Sequence, residues 1–141
     1  MSFKAVADRA PVIVTVHMPL TADAIDRNVF VADRPYDVIS VSESHGTAGN
    51  DAGAVTLDVV KATGTTAVAS GSTVLGSTFN MKSTANTPVH KTRKNGGVLS
   101  TPVATLAQGD RLGFNITGTT TAYADGVVTV VLRPSGVAAT N

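Results

Sequence analysis

The chain has no cysteine and no tryptophan. Without thiols there is no disulfide framework, no thiolate nucleophile and no cysteine metal ligand, so the fold must stand on packing and backbone hydrogen bonds. Aromatic residues make up only 4% of the 141 positions, too few to build a stacking platform for single-stranded nucleic acid or sugar rings. Charged residues make up 15% and balance to a net +1. A nucleic-acid binder needs a basic stripe that displaces counterions, so nucleic acid is not an expected partner. Glutamate occurs once, at Glu43, and leucine is sparse, which argues against long helices. No run reaches membrane-spanning length, and Met1–Arg9 lacks the apolar stretch of a secretory signal, so no membrane partner is expected either.

What is abundant is valine and threonine, residues that fit a pleated, half-buried surface. Two segments echo each other: Gly53-Ala54-Val55-Thr56-Leu57-Asp58-Val59-Val60-Lys61 and Gly126-Val127-Val128-Thr129-Val130-Val131-Leu132-Arg133. Both alternate apolar residues with others, as strands do. The same alternation predicts a strand over Val12–Met18, with Val12, Val14, Val16 and Met18 on one face, and another over Arg111–Ile116, with Leu112, Phe114 and Ile116 inward. Further strands are expected at Asn28–Val31, Tyr36–Glu43 and Thr73–Lys82, the last bent at Gly76. A loop is expected over His45–Gly53, and one helical turn or a loop over Thr21–Asp26. Asn95-Gly96-Gly97 favours positive φ and marks a hairpin between Val89–Thr92 and Val98–Ser100.

About eight short strands with turn signals between them describe an all-β, single-domain antiparallel β-sandwich or jelly roll. The expected organisation is an extended N-terminal arm over 1–10, the sandwich over 11–134 and a short polar tail over 135–141. The echo reads either as a duplicated half or, preferably, as two strands meeting the same packing demand.

The inventory of reactive groups is thin. His17, His45 and His90 do not stand at metal-ligand spacing to one another. His17 reads as part of a strand face. A Ser44–His45–Asp51 set lacks any nucleophile-elbow motif. Asp23, Asp26, Asn50 and Asp51 read as turn and cap residues rather than calcium ligands, and Asp58 and Asp110 form no recognisable carboxylate pair. No phosphate-binding glycine loop occurs. The expectation is a protein with no catalytic residues, metal or cofactor. Two surface features remain. Lys91, Arg93 and Lys94 form the single basic cluster, either a solvated hairpin tip or an electrostatic contact with an acidic partner. Val127 and Val131 make the second echo strand apolar on both faces, as in a strand between two layers or at a subunit interface.

Several segments in order resemble the jelly-roll decoration (cement) proteins of tailed-bacteriophage capsids. They are Val31-Ala32-Asp33-Arg34-Pro35-Tyr36, Gly53-Ala54-Val55-Thr56-Leu57, Ala62-Thr63-Gly64-Thr65-Thr66 and Val74-Leu75. Ser83-Thr84-Ala85-Asn86-Thr87, Leu106 to Leu112 and Gly126 to Val130 complete the set, which spans most of residues 12–133. The resemblance implies a non-enzymatic virion protein, made in the host cytoplasm and placed on the capsid exterior. It implies a homotrimer at three-fold and quasi-three-fold positions that binds the major capsid protein and stabilises the expanded shell. Residues 1–10 are then expected to contact the shell or a neighbour through Phe3, Lys4, Val6 and Arg9. The alternatives are a tail, fibre or baseplate β-module, or a carbohydrate-binding module reading sugar through Tyr36 or Tyr123.

Overall fold

The computed structural model describes residues 10–18, 26–102 and 104–135. Ten strands account for nearly all of its regular structure: β1 (Val12–Met18), β2 (Asp26–Val31), β3 (Tyr36–Thr47), β4 (Thr56–Ala62), β5 (Ser72–Thr73), β6 (Phe79–Asn80), β7 (Val89–Thr92), β8 (Thr105–Leu106), β9 (Arg111–Thr117) and β10 (Ala124–Pro134). A single 3₁₀ turn spans Val68–Ser70.

The strands form two antiparallel sheets. One runs β1-β10-β3-β7, with β8 also on β3; the other runs β2-β9-β4-β5, with β6 also on β4. The pairing is nested: β1 pairs with β10, β2 with β9, β3 with β7, and β4 with β5 and β6. From β1 to β4, and again from β8 to β10, successive strands alternate between sheets, while β4 to β6 stay in one sheet and β7 and β8 in the other; a long antiparallel ribbon is folded over on itself. This is jelly-roll topology in a β-sandwich, as the sequence led us to expect.

Alternation decides which side chains enter the core. Met18, Val128, Val130 and Leu132 from one sheet meet Leu57, Val59, Leu112, Phe114 and Ile116 from the other, all buried in one continuous cluster. The echo segments hold equivalent places: β4 lies between β9 and β5/β6, and β10 lies between β1 and β3. A central strand must donate hydrogen bonds on both edges and fill a core face, so the same Val/Thr pattern serves twice.

Local departures have physical causes. β3 does not stop at Glu43 but continues through His45, Gly46 and Thr47, because β10 pairs with it as far as Thr47. The ladder contains a bulge: Val131 faces Ser40 while Leu132 faces Val38, leaving Ile39 as the extra residue. Tyr36 and Val38 point inward before the bulge, and Val41, Glu43 and His45 point inward after it. The Thr73–Lys82 segment pairs only at its ends. It turns at Gly76, whose N–H donates to the Gly97 carbonyl at 2.9 Å and where a Cβ would lie 2.1 Å from the Gly96 oxygen. The expected turn forms around Asn95, whose Oδ1 accepts from the N–H groups of Thr92 and Gly97, each at 2.9 Å, but the expected hairpin does not, because β7 pairs with β3 instead of with Val98–Ser100. Val98 then leaves β7 and bridges to Leu75. Of the Thr21–Asp26 segment, only Asp26 lies within the described residues, at the start of β2.

Candidate functional site

The bulge in β3 places the chain's single glutamate inside the sandwich. Glu43 and His45 are 1% and 2% exposed, so both are withdrawn from solvent. Glu43 Oε1 stands 2.7 Å from His45 Nδ1 and accepts the Tyr123 hydroxyl at 2.8 Å. His45 Nε2 is 3.0 Å from the Ser83 carbonyl oxygen. A carbonyl only accepts, so Nε2 carries a hydrogen, and a further proton lies between Nδ1 and Oε1. The imidazole and the Tyr123 ring meet at 5.2 Å between centroids.

This network joins three pieces of chain: β3, the turn leading to Tyr123, and the turn at Ser83–Asn86. The Asn86 N–H donates to the His45 carbonyl at 2.7 Å, with Asn86 itself at φ 58°. Gly126 makes room for the arrangement, since a Cβ there would fall 2.1 Å from the Tyr123 hydroxyl. The glycine that leads the second echo strand is thus a seat for an aromatic ring. The network is a buried polar core at one end of the sandwich, in which Glu43 Oε2 has no hydrogen-bond partner. Its effect is to fix two turns against β3.

The Ser44–His45–Asp51 set does not assemble. Ser44 lies on the outer face of β3 opposite Val127, while His45 points inward. Asp51 serves its loop, accepting from the N–H groups of Ala52 at 2.9 Å and Thr119 at 3.3 Å. His17 lies exposed on β1, and His90 on β7 stands 2.7 Å from Ser42 Oγ. Asp58 pairs in register with Asn115 and accepts from the Thr73 hydroxyl. Burial raises its carboxyl above the usual range, against the lowering effect of that bond. Asp110 ties the turn before β9 by accepting the Ala107 N–H at 2.8 Å, far along the ladder from Asp58. Among the described residues no group of three His, Cys, Asp or Glu side chains is arranged to hold a metal ion.

The basic cluster is dispersed. Lys91 Nζ donates to Ser77 Oγ at 2.9 Å and sits 4.9 Å from the centre of the Phe79 ring, where desolvation lowers its pKa. Arg93 donates to the Ala104 carbonyl at 3.1 Å and lies 3.8 Å from Asp37. Of the three, Lys94 alone is exposed, in the turn that follows β7. Two of the three cations therefore lock their own chain. Phe3, Lys4, Val6 and Arg9 lie outside the described residues.

Val127 and Val131 occupy the outer face of β10, half-buried, beside the partners His17 and Ile13 on β1. Ile13 is 64% exposed, one of two large hydrophobics so placed among the described residues. With Thr15, Thr129, Ser42 and Ser44 they form a hydroxyl-rich face that is uncharged over most of its length. Its charged members, Asp37 and Arg133, sit together at one end of the ladder. Position in the sheet accounts for the inward valines of β10; the outward pair belongs to this open face. The bulged, inward turn of Glu43 and His45 was not legible from sequence. The one available signal was the chain's single glutamate, two residues from a histidine in the same segment.

Both tyrosines are engaged. Tyr36 donates to Asp33, and burial followed by that bond raises its pKa. Burial followed by the Glu43 contact raises that of Tyr123 strongly. The folded state thus holds both phenols protonated where the unfolded chain ionises, at about pH 10. Folding stability is fully present below that pH and is lost as pH rises beyond it. Tyrosinate absorbance is expected to appear together with loss of the β-sheet circular dichroism signal. Ionisation of both phenols at pH 10 with the fold intact would contradict these environments.

Comparison with family models, curated proteins and solved structures finds no match to this chain.

Proposed function

We propose that this chain is a structural virion protein, a jelly-roll decoration protein on the exterior of a tailed-phage capsid. Three copies gather at three-fold and quasi-three-fold positions and bind the major capsid protein. The observation that carries this reading is the outer face of the β1-β10-β3-β7 sheet. Ile13, Val131 and Val127 stand there among Thr15, Thr129, Ser42 and Ser44, an apolar strip within hydroxyl groups. Such a surface suits broad, weak contacts repeated over many copies, because multivalency turns modest affinities into high occupancy. The chain's polar cluster is sealed inside and acts on its own turns. Tyr36 and Tyr123 are buried, so neither offers a ring to a sugar.

Co-sedimentation with empty expanded shells tests the reading. Binding to expanded shells but not to unexpanded precursors is expected, and imaging should place the density on the head. Absence of binding, or density on the tail, fibre or baseplate, would sink it. Ile13→Asp is expected to cut occupancy strongly without lowering thermal stability, since the side chain is mostly in water already. Deleting residues 1–10 is expected to weaken occupancy; unchanged occupancy removes the arm from the mechanism.

A further inference from the structure

Beyond shell binding, and independently of it, we infer that the open edge of β1 is a pairing site for β1 of a second copy, antiparallel about a two-fold axis. Among the described residues β1 is paired on one side only, with β10, through seven consecutive register pairs and no bulge. Its other side presents a row of backbone N–H and C=O groups, whose natural complement is another strand.

The remaining edges are protected in ways β1 is not. β2 carries Asp26 and Arg27 and is bulged between Asn28 and Phe30. β5 and β6 are two residues each, separated by the turn at Gly76. β7 has four residues and contains Lys91, with Arg93 and Lys94 immediately after it, so two copies meeting there would oppose like charges. β1, Val12-Ile13-Val14-Thr15-Val16-His17-Met18, contains no proline, lysine, arginine or carboxylate.

The strand is also complementary to itself. The register that pairs all seven residues puts the axis at Thr15. Val12 then faces Met18 of the second copy, Val14 faces Val16, Ile13 faces His17, and Thr15 faces its own counterpart. Residues directly opposite share a face, so the inner side pairs apolar with apolar throughout. Val12, Val14 and Val16 pack on the core yet remain partly exposed at this margin, and a second strand would cover them. The result is one continuous ten-stranded sheet across two sandwiches, an isologous contact that closes on itself. The occupant is a copy of this chain because the edge is free of charge and matches its own sequence in both faces. On a shell the same contact would tie copy to copy across local two-folds.

The absence of cysteine makes the test clean. Thr15→Cys in the full chain introduces a single thiol. On the axis of an antiparallel pair its Cα stands about 4.5–5.5 Å from its counterpart, within the roughly 4.4–6.8 Å that a disulfide spans. Mild oxidation should give a covalent dimer well above the yield of Lys94→Cys, which reports random collision at the exposed turn after β7. Sedimentation of the unmodified chain should show concentration-dependent dimers, abolished by Thr15→Lys. A monomer with no excess cross-link overturns the inference, as does a monomer whose β1 amides are protected from exchange by its own N-terminal segment. A trimer without the Thr15 cross-link overturns it too and leaves the decoration reading standing. Dimers of the unmodified chain that fail to bind shells, with the Thr15 cross-link formed in the variant, do the reverse.

Discussion

Glu43→Ala is expected to lower the free energy of unfolding by about 3–5 kcal/mol, the range for breaking a buried charged pair by removing one partner. The truncation leaves His45 Nδ1 and the Tyr123 hydroxyl without their shared acceptor, in a place withdrawn from solvent. Against a total of roughly 5–15 kcal/mol for a domain of ordinary stability, this is a large fraction. Glu43→Gln keeps an oxygen in place and should cost less. The gap between the two variants isolates charge and proton sharing from simple volume. Urea denaturation with unchanged m-values measures both. If Glu43→Ala unfolds within about 1 kcal/mol of the native chain, smaller than the cost of one orphaned buried group, the network contributes nothing to stability.

The second large effect is expected at Gly126. A methyl group there meets the Tyr123 hydroxyl at 2.1 Å and two ring carbons at 2.6 Å. The neighbour is a rigid ring held at its tip by Glu43, so it relieves the clash only by giving up that bond. Gly126→Ala therefore combines overpacking, about 1–3 kcal/mol, with a buried acceptor losing its donor, about 1–3 kcal/mol. The informative measurement is a double-mutant cycle with Tyr123→Ala. Once the ring is gone, the added methyl finds space, and the two costs should fall well short of additive. Additive losses would mean that Gly126 serves the strand backbone and not the ring.

Much of the framework was legible because alternation maps directly onto sheet faces. β1 begins and ends where its valine spacing says, and Leu112, Phe114 and Ile116 enter the core from β9 as their spacing requires. The echo of Gly53–Lys61 and Gly126–Arg133 has its explanation in two central strands with equal demands. The polar cluster escaped because a bulge shifts a strand by one residue, and that flips every later side chain to the other face. Counted by twos from Tyr36 and Val38, Glu43 and His45 should face water. One extra residue at Ile39 turns both inward. Gly46 looks like loop, yet it lies within β3 beside the Asp125 side chain, where a Cβ would clash at 2.7 Å. The basic cluster dissolved for another reason. Lys91 and Arg93 have long apolar stems, and their heads find partners across the fold at Ser77 and Ala104, contacts that no local pattern records.

The nested ladder also sets an order of events during synthesis. β10 is the strand on which both β1 and β3 are zipped, and it is the last of the ten to leave the ribosome. Until residues 124–134 emerge, β1 has no partner in its own sheet and β3 lacks the longer of its ladders. The other sheet must wait for β9 in the same way. Folding is therefore held back until residues 124–134 have emerged, and closure then joins segments about a hundred residues apart, which makes it slow. In that interval the valines of β1 stand open, and nascent chains on neighbouring ribosomes are the first strands they can meet.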